Sequence, residues 1–318
     1  MRKTRIGLVQ NAPKLGRLEE NLAEARALVE GAAREGASVV FLPELSLCGF
    51  RPALGQAATA EPAGGRCDRW LSSTARELGL VLGAGYLEAR GGDLFNVYVL
   101  AGPDGRVLGR VGKESPSMGE TYVFASEPGG HVVDTPHGRV GVGICNDSHM
   151  AYLPRKLLEA GAELVVMPHA WPLPDAPSRL VDAADIGRQA RNMEELAGIY
   201  ARSLGVPALL TNLAGRLDMG GERSPGFLGA LLPPPESYRF PAFADVRAAG
   251  GARIASREGR GEPGFLVAEV ELVGHARKAG GLPAYGRRVY EANADSVILR
   301  LYETLGRRSY RRGRRTAE

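Results

Sequence analysis

The run 38–42 (SVVFL) is continuous, β-branched and aromatic after its first residue. A strand built from it is buried on both faces, which demands layers above and below it. It follows 19–35, where Leu22, Ala25, Leu28, Val29 and Ala32 recur at helical spacing. It ends on Pro43-Glu44. The same alternation continues along the chain. Residues 5–10 (RIGLVQ) read as an opening strand, 68–78 as a helix and 80–86 as a strand. Segments 93–100 and 106–111 flank Gly-Pro-Asp-Gly and read as a hairpin. A second turn, Pro136-His137-Gly138, separates strands expected at 131–134 and 139–144, the latter ending at Cys145. Then come a helix at 153–160, a strand at 163–168, a long helix at about 180–204 and a strand at 207–212. Strand–helix alternation mixed with hairpins is the pattern of an α/β layered fold. No repeat or linker divides the chain. Segment 216–237, with Gly220-Gly221 and prolines at 233–235, reads as a loop insertion near a site mouth.

At 318 residues, 44% hydrophobic and 24% charged, the chain can bury a large core. The net charge of +4 is concentrated at one end. Arg307, Arg308, Arg311, Arg312, Arg314 and Arg315 lie within the last dozen residues. Setting those six and Glu318 aside leaves 34 basic and 35 acidic residues, so the body is not a nucleic-acid surface. The tail reads as a solvated terminus. No apolar run reaches membrane-spanning length, and the start leads into a strand rather than a signal peptide. Three cysteines (Cys48, Cys67, Cys145) without a CxxC argue against disulfides or structural zinc, and for a reducing cytoplasm.

In open α/β sheets, ligands gather outside the carboxyl ends of the strands. Three chemically capable residues stand at such ends: Glu44 after SVVFLP, Lys113 after RVLGRVG and Cys145 after RVGVGI. Each has an ordinary alternative, as a helix cap, a loop lysine and a small core side chain. Together they supply a base, a cation and a thiol, most of what acyl transfer needs.

These segments resemble the nitrilase, or carbon–nitrogen hydrolase, superfamily. Phe41-Leu42-Pro43-Glu44-Leu45 with Cys48-Gly49-Phe50 is similar to its glutamate motif. Residues 96–113 (NVYVLAGPDGRVLGRVGK) are similar to its lysine block, trailed by Glu120, Phe124 and Gly129. Residues 139–147 (RVGVGICND) resemble its cysteine block, and 164–168 (LVVMP) the strand after it. The separations, 69 residues from Glu44 to Lys113 and 32 from Lys113 to Cys145, suit the family. The resemblance runs over roughly 4–215, with a weaker echo at 264–272.

The resemblance implies a four-layer α-β-β-α sandwich of the nitrilase type, over 1–275, that pairs through a helical face. Residues 276–318 are then a C-terminal extension, read as a dimer-interface arm with a basic tail, and 285–310 is long enough to cross such an interface. The implied reaction is hydrolysis of a non-peptide C–N bond through a cysteine thioester. Cys145 would be the nucleophile and Glu44 the proton carrier. Lys113 and the backbone N–H of Asn146 would hold the oxyanion, and Glu120 would orient substrate or water. No metal or organic cofactor is implied. His149, His169 and Trp171 are substrate-pocket candidates; the family does not use a histidine as its base.

Asn146-Asp147 after the cysteine resembles the carbamoylase branch, where arginines follow directly and hold a substrate carboxylate. Here Ser148-His149-Met150 occupy those positions and offer no planar guanidinium fork. The expected substrate is therefore a small amide, ureide or N-carbamoyl compound with an unfamiliar acyl group. Turnover of nitriles, acyl transfer to an amine and a non-catalytic interaction protein on the same fold are the alternatives.

Overall fold

The computed structural model describes residues 2–177, 181–226, 233–278, 281, 287–290 and 295–315. The first half builds one sheet from β1 (Arg2–Gln10), β2 (Val39–Phe41), β3 (Val81–Arg90), β4 (Asp93–Ala101) and β5 (Val107–Gly112). Helix α1 (Leu18–Arg34) joins β1 to β2, and α2 (Arg66–Leu78) precedes β3. The second half builds another sheet from β6 (Val132–Thr135), β7 (Gly138–Val142), β8 (Leu164–His169), β10 (Ala208–Asn212), β13 (Phe243–Arg247) and β14 (Arg253–Glu258). Helices α3 (Tyr152–Glu159) and α4 (Ala183–Leu204) belong to this half. Short strands β9 (Leu173–Pro174), β11 (Ala214–Arg216) and β12 (Tyr238–Pro241) form a small third sheet. Strand β15 (Gly264–Leu272) returns to pair antiparallel with β1, giving sheet order β15-β1-β2-β3-β4-β5. The second sheet runs β14-β13-β10-β8-β7-β6. Helix α5 (Asp295–Arg315) closes the described chain and packs on the turn Met118–Tyr122.

Alternate side chains of a strand point to opposite faces, and here each face meets a different layer. Val39 and Phe41 pack between the two sheets with Val142, Leu164, Val166 and Leu209. Val40 and Leu42 point the other way, onto Leu22, Val29 and Ala32 of α1 and Leu71 of α2. In the second sheet Val165 and Met167 meet Leu196, Tyr200 and Leu204 of α4. The order of layers is therefore helix, sheet, sheet, helix, the α-β-β-α sandwich. The helices end as their sequences dictate. Glycines Gly79 and Gly205, at φ 66° each, terminate α2 and α4. Asp182 accepts from the Asp185 N–H to start α4.

Several expected boundaries move. The strand expected over 139–144 stops at Val142; Gly143 N–H still donates to Val166 O at 3.0 Å, and Cys145 then opens a helical turn, Cys145–His149. The long helix begins at Ala183; position 180 lies outside the described residues. Strands β13 and β14 were not expected: 253–258 (RIASRE) is exposed or half-buried throughout and shows no apolar run. Of the loop read at 216–237, positions 227–232 lie outside the described residues, and its flanks β11 and β12 pair with each other. Of segment 285–310, positions 285–286 and 291–294 lie outside them; α5 begins four residues later than 291.

Three strand ends open on the same edge of the molecule. Strand β5 is antiparallel to β4, which is antiparallel to β3, so β5 runs in the direction of β2 and β3. In the facing sheet β7, β8 and β10 are mutually parallel.

Candidate active site

Glu44 follows β2 on a loop stitched to β3. Leu42 N–H donates to Gly83 O at 2.8 Å, Leu47 N–H to Gly85 O at 3.2 Å, and the Tyr98 hydroxyl to Leu42 O at 2.8 Å. The approach is so close that a Cβ on Gly85 would lie 2.6 Å from Leu45 N and 3.1 Å from Glu44 Cα. Lys113 follows β5, its N–H bonded to Asn96 O at 2.8 Å. Glu120 sits on the turn Met118–Tyr122, where Ser117 and Glu120 cap each other.

The side chains converge. Lys113 Nζ lies 2.6 Å from Glu44 Oε1 and 2.9 and 2.7 Å from the two oxygens of Glu120. All three residues are buried. Asn96 Nδ2 donates to both carboxylates, at 2.7 Å to Glu44 and 3.3 Å to Glu120. The other Glu44 oxygen accepts the Ala170 N–H at 2.7 Å, and Glu120 accepts the Ser117 N–H at 2.8 Å. Burial would lower the Lys113 pKa, but Glu120, Glu44 and Cys145 together raise it well above the usual lysine range. The ammonium is therefore permanent. Burial raises Glu120, partly offset by Lys113.

Cys145 meets this group from the facing sheet. Burial, then the negative charge of Glu44, pushes its thiol well above the ordinary range, while Lys113 pulls it down. Its resting form is the thiol. Its backbone takes φ 42°, a left-handed conformation costly for any side chain but glycine. Leu45, beside Glu44, and Met118, two residues before Glu120, also have positive φ, at 49° and 46°. Three of the five non-glycine residues of this kind among the described residues thus border one site. Asn146 N–H lies at the opening of the turn Cys145–His149, where backbone donors have no partner within the turn.

The residues after the cysteine divide by role. Asp147 accepts from Ser115 N–H at 2.7 Å, Glu114 N–H at 3.2 Å and the Tyr152 hydroxyl at 2.8 Å, while Asn146 Nδ2 donates to Ser115 O at 3.0 Å. Both residues therefore tie the cysteine turn to the loop after Lys113. His149 and His169 face each other, Nε2 to Nε2 at 3.1 Å. His169 Nδ1 is 3.0 Å from Met167 O, a carbonyl that can only accept, so that nitrogen carries the proton and Nε2 is an acceptor. His149 must then donate from Nε2, leaving Nδ1 to accept the Tyr290 hydroxyl at 2.7 Å. Burial lowers both rings, His169 to about 4 and His149 well below the usual histidine value. Both are neutral. Trp171 stacks on His169, 5.9 Å between ring centroids, and lies tilted against His149 at 4.5 Å. His169 has no exposed surface, so of the three pocket candidates it stands behind the other two.

Sequence reading passed over four contributors: Asn96, the Ala170 N–H, Arg288 and Tyr290. Asn96 opens the lysine block but carries no chemistry of its own. Arg288 and Tyr290 come from the C-terminal segment, where Ala151 N–H donates to Arg287 O at 2.8 Å and Val289 N–H to His149 O at 3.0 Å. Among the described residues no group of three or more His, Cys, Asp and Glu is placed to hold a metal ion. None of the described helices is long and apolar enough to cross a membrane.

Known proteins similar to this chain share its family and its fold. The carbon–nitrogen hydrolase family profile matches residues 5–206. The omega-amidase of Danio rerio is 34% identical over 192 residues, covering 56% of this chain and 67% of that protein. The deaminated glutathione amidase of Mus musculus is 34% identical over 169 residues, covering 48% of this chain and 52% of that protein. Among solved structures, a carbon–nitrogen hydrolase from Helicobacter pylori G27 superposes with TM-score 0.73 at 23% identity, over 85% of this chain and 90% of its own. An amidase from Nesterenkonia sp. AN1, with acrylamide added at its active-site cysteine, superposes with TM-score 0.66 at 20% identity, over 83% and 92%. With the family profile spanning most of the sandwich and both the Lys113 and Cys145 strand ends, this chain belongs to the carbon–nitrogen hydrolase family, the nitrilase superfamily.

Proposed function

We propose that this chain hydrolyses the C–N bond of a small carboxamide or ureide through a thioester on Cys145. One observation carries the reading: Lys113 Nζ lies 2.6–2.9 Å from carboxylate oxygens of both Glu44 and Glu120, all three residues buried, beside a cysteine of left-handed backbone. The amidase activity named for the relatives supports it.

Glu44 takes the proton from the Cys145 thiol as sulfur attacks the carbonyl carbon. The thiol is a poor nucleophile until that proton leaves. The transfer moves one negative charge from carboxylate to sulfur, and both places are beside the Lys113 ammonium. The net charge of the buried group does not change, so no bare ion is created in a dry site. The developing oxyanion is held by Lys113 and the Asn146 N–H, donors placed before the charge forms. The C–N bond then breaks, Glu44 hands its proton to nitrogen, and ammonia or an amine leaves. Water attacks the thioester, gives a proton to Glu44, and the acid departs as sulfur recovers that proton. Glu120 anchors Lys113, and His149 and Trp171 form the substrate wall with His169 behind them. The reading extends to a reducing, cytoplasmic setting for a free thiol. It also extends to a homodimer, supported by Leu301 and Leu305, which α5 leaves 52% and 40% exposed.

Ammonia release from a panel of short carboxamides, ureides and nitriles tests the chemistry. Cys145→Ala should abolish turnover, with mass spectrometry showing an acyl adduct only on the native protein. Undiminished turnover in that variant removes the thioester from the mechanism.

A further inference from the structure

Asn96 of β4 is buried and touches the charged group with both backbone and side chain. Its carbonyl accepts the Lys113 N–H at 2.8 Å, and its Nδ2 donates to Glu44 Oε1 at 2.7 Å and Glu120 Oε1 at 3.3 Å. A carboxylate only accepts, so the amide must turn its NH2 towards both acids, and one orientation remains. That orientation leaves Oδ1 buried without a hydrogen-bond partner among the described residues. An orphaned buried carbonyl is costly, and an apolar side chain of the same size would not incur the cost. What the amide supplies in exchange is its two N–H groups.

Their effect on the two acids is unequal. Each carboxylate offers about four lone-pair sites. On Glu120, Oε1 accepts from Lys113 at 2.9 Å and Asn96 at 3.3 Å. Its Oε2 accepts from Lys113 at 2.7 Å, the Ser117 N–H at 2.8 Å and the Ser117 hydroxyl at 3.2 Å. Glu120 is saturated. On Glu44, Oε1 accepts from Lys113 at 2.6 Å and Asn96 at 2.7 Å, and Oε2 accepts the Ala170 N–H at 2.7 Å. With three donors for four sites, one lone pair stays open, on Glu44 Oε2.

We propose that Asn96 is a positioning residue that makes the two carboxylates unequal: by filling an oxygen of each, it leaves Glu44 Oε2 as the place where the Cys145 proton lands. The inference rests on the hydrolase reading above. The S–H bond breaks, an O–H bond forms at Glu44 Oε2, and the electron pair stays on sulfur as the nucleophile. Without Asn96, Glu44 Oε1 and Glu120 Oε1 share Lys113 alone. Both acids then hold a proton more readily, because a donor to the charged form has been removed. The other titratable groups facing Glu44 are the Cys145 thiol from the opposite sheet and His169 at the end of β8, which is buried and neutral.

The test has two arms. In the first, ammonia release from propionamide is followed across the pH range in the native protein, Asn96→Leu and Asn96→Asp. In Asn96→Leu the acid limb of the kcat/KM profile should move up by about one pH unit. On the plateau kcat should fall about tenfold or more, with KM nearly unchanged. An acid limb at the native position overturns the assignment, as does a loss confined to KM. Asn96→Asp keeps the size but donates only while protonated, so its activity should decline on the alkaline side, where the native profile is level.

In the second arm, alkylation of Cys145 by iodoacetamide is followed by peptide mass mapping, which separates it from Cys48 and Cys67. Its acid limb should move in Asn96→Leu by the same amount. That movement supports the assignment even if no propionamide is cleaved, a result that would fault the hydrolase reading alone. Equal alkylation profiles in native protein and variant overturn the assignment whatever the turnover. Thermal melts separate misfolding from a changed proton site. If Asn96→Leu does not fold, Asn96→Asp decides the matter, and a level alkaline side in that variant overturns the proposal.

Discussion

On one side of Cys145, Glu44, Lys113 and Glu120 are held within 2.6–2.9 Å as carboxylates around one ammonium. On the other, His149, His169 and Tyr290 form a chain of neutral hydrogen bonds backed by Trp171. Both walls are buried, yet they solve burial differently. The charged wall survives desolvation because its two carboxylates share one ammonium and each accepts further N–H donors. The neutral wall avoids the cost altogether, because burial strips its histidines of the proton. In the proposed reaction the charged side moves the proton, and the histidine side is where the substrate would lie.

The largest expected effect comes from removing the cation that holds the charged wall together. Lys113→Met should lower kcat/KM by about a thousandfold or more, through the lost oxyanion donor and the misplaced Glu44. It also leaves two buried carboxylates facing each other, at a cost of about 3–5 kcal/mol in urea unfolding near pH 8. One of them then takes up a proton more readily than in the unfolded chain, so the deficit should shrink as pH falls towards 5. A pH-independent deficit would show that the wall does not depend on charge balance.

Gly85→Ala probes how tightly the first sheet positions Glu44. Its Cβ would press on Leu45 N and Glu44 Cα, backbone atoms already in a strained segment. We expect a loss of about 1–3 kcal/mol and a fall in kcat larger than any rise in KM. A normal kcat with lowered stability would mean that Glu44 tolerates displacement.

The neutral wall should show itself least at pH 7 and most in acid. The folded-state pKa of His169 is depressed to about 4, so between that value and about 6.5 the unfolded chain binds a proton the folded one does not. The stability this buried neutral ring confers is present above about 6.5 and is lost as pH falls towards 4, at up to about 1.4 kcal/mol per pH unit. His169→Asn should flatten that slope, read from urea midpoints between pH 7 and 5. An equally steep slope in the variant would assign the acid sensitivity to other groups.

The charged wall was the legible one. Glu44, Lys113 and Cys145 each follow shortly after a strand, and strand ends can be approximated from local pattern alone. Their short-range neighbours carried enough signature to suggest a family. Glu120 was expected to orient substrate or water, and in the structure its carboxylate binds Lys113 directly. The neutral wall was legible only as isolated names. His149 and His169 are 20 residues apart, and nothing in either segment says that their rings meet or which nitrogen holds the proton. Asn96 is an unremarked amide in a strand until two carboxylates are found at its side chain.

The amino-acid pattern by itself determined the layers and the three strand ends, because burial on one or both faces writes a period into consecutive residues. It also determined which functional groups were available. Only the tertiary structure decided that Asp147 braces the lysine loop and that Arg288, 143 positions beyond Cys145, joins the cysteine's wall. Such contacts depend on how a distant segment pairs with residues 149–151, and long-range pairing leaves no period in the residues that make it.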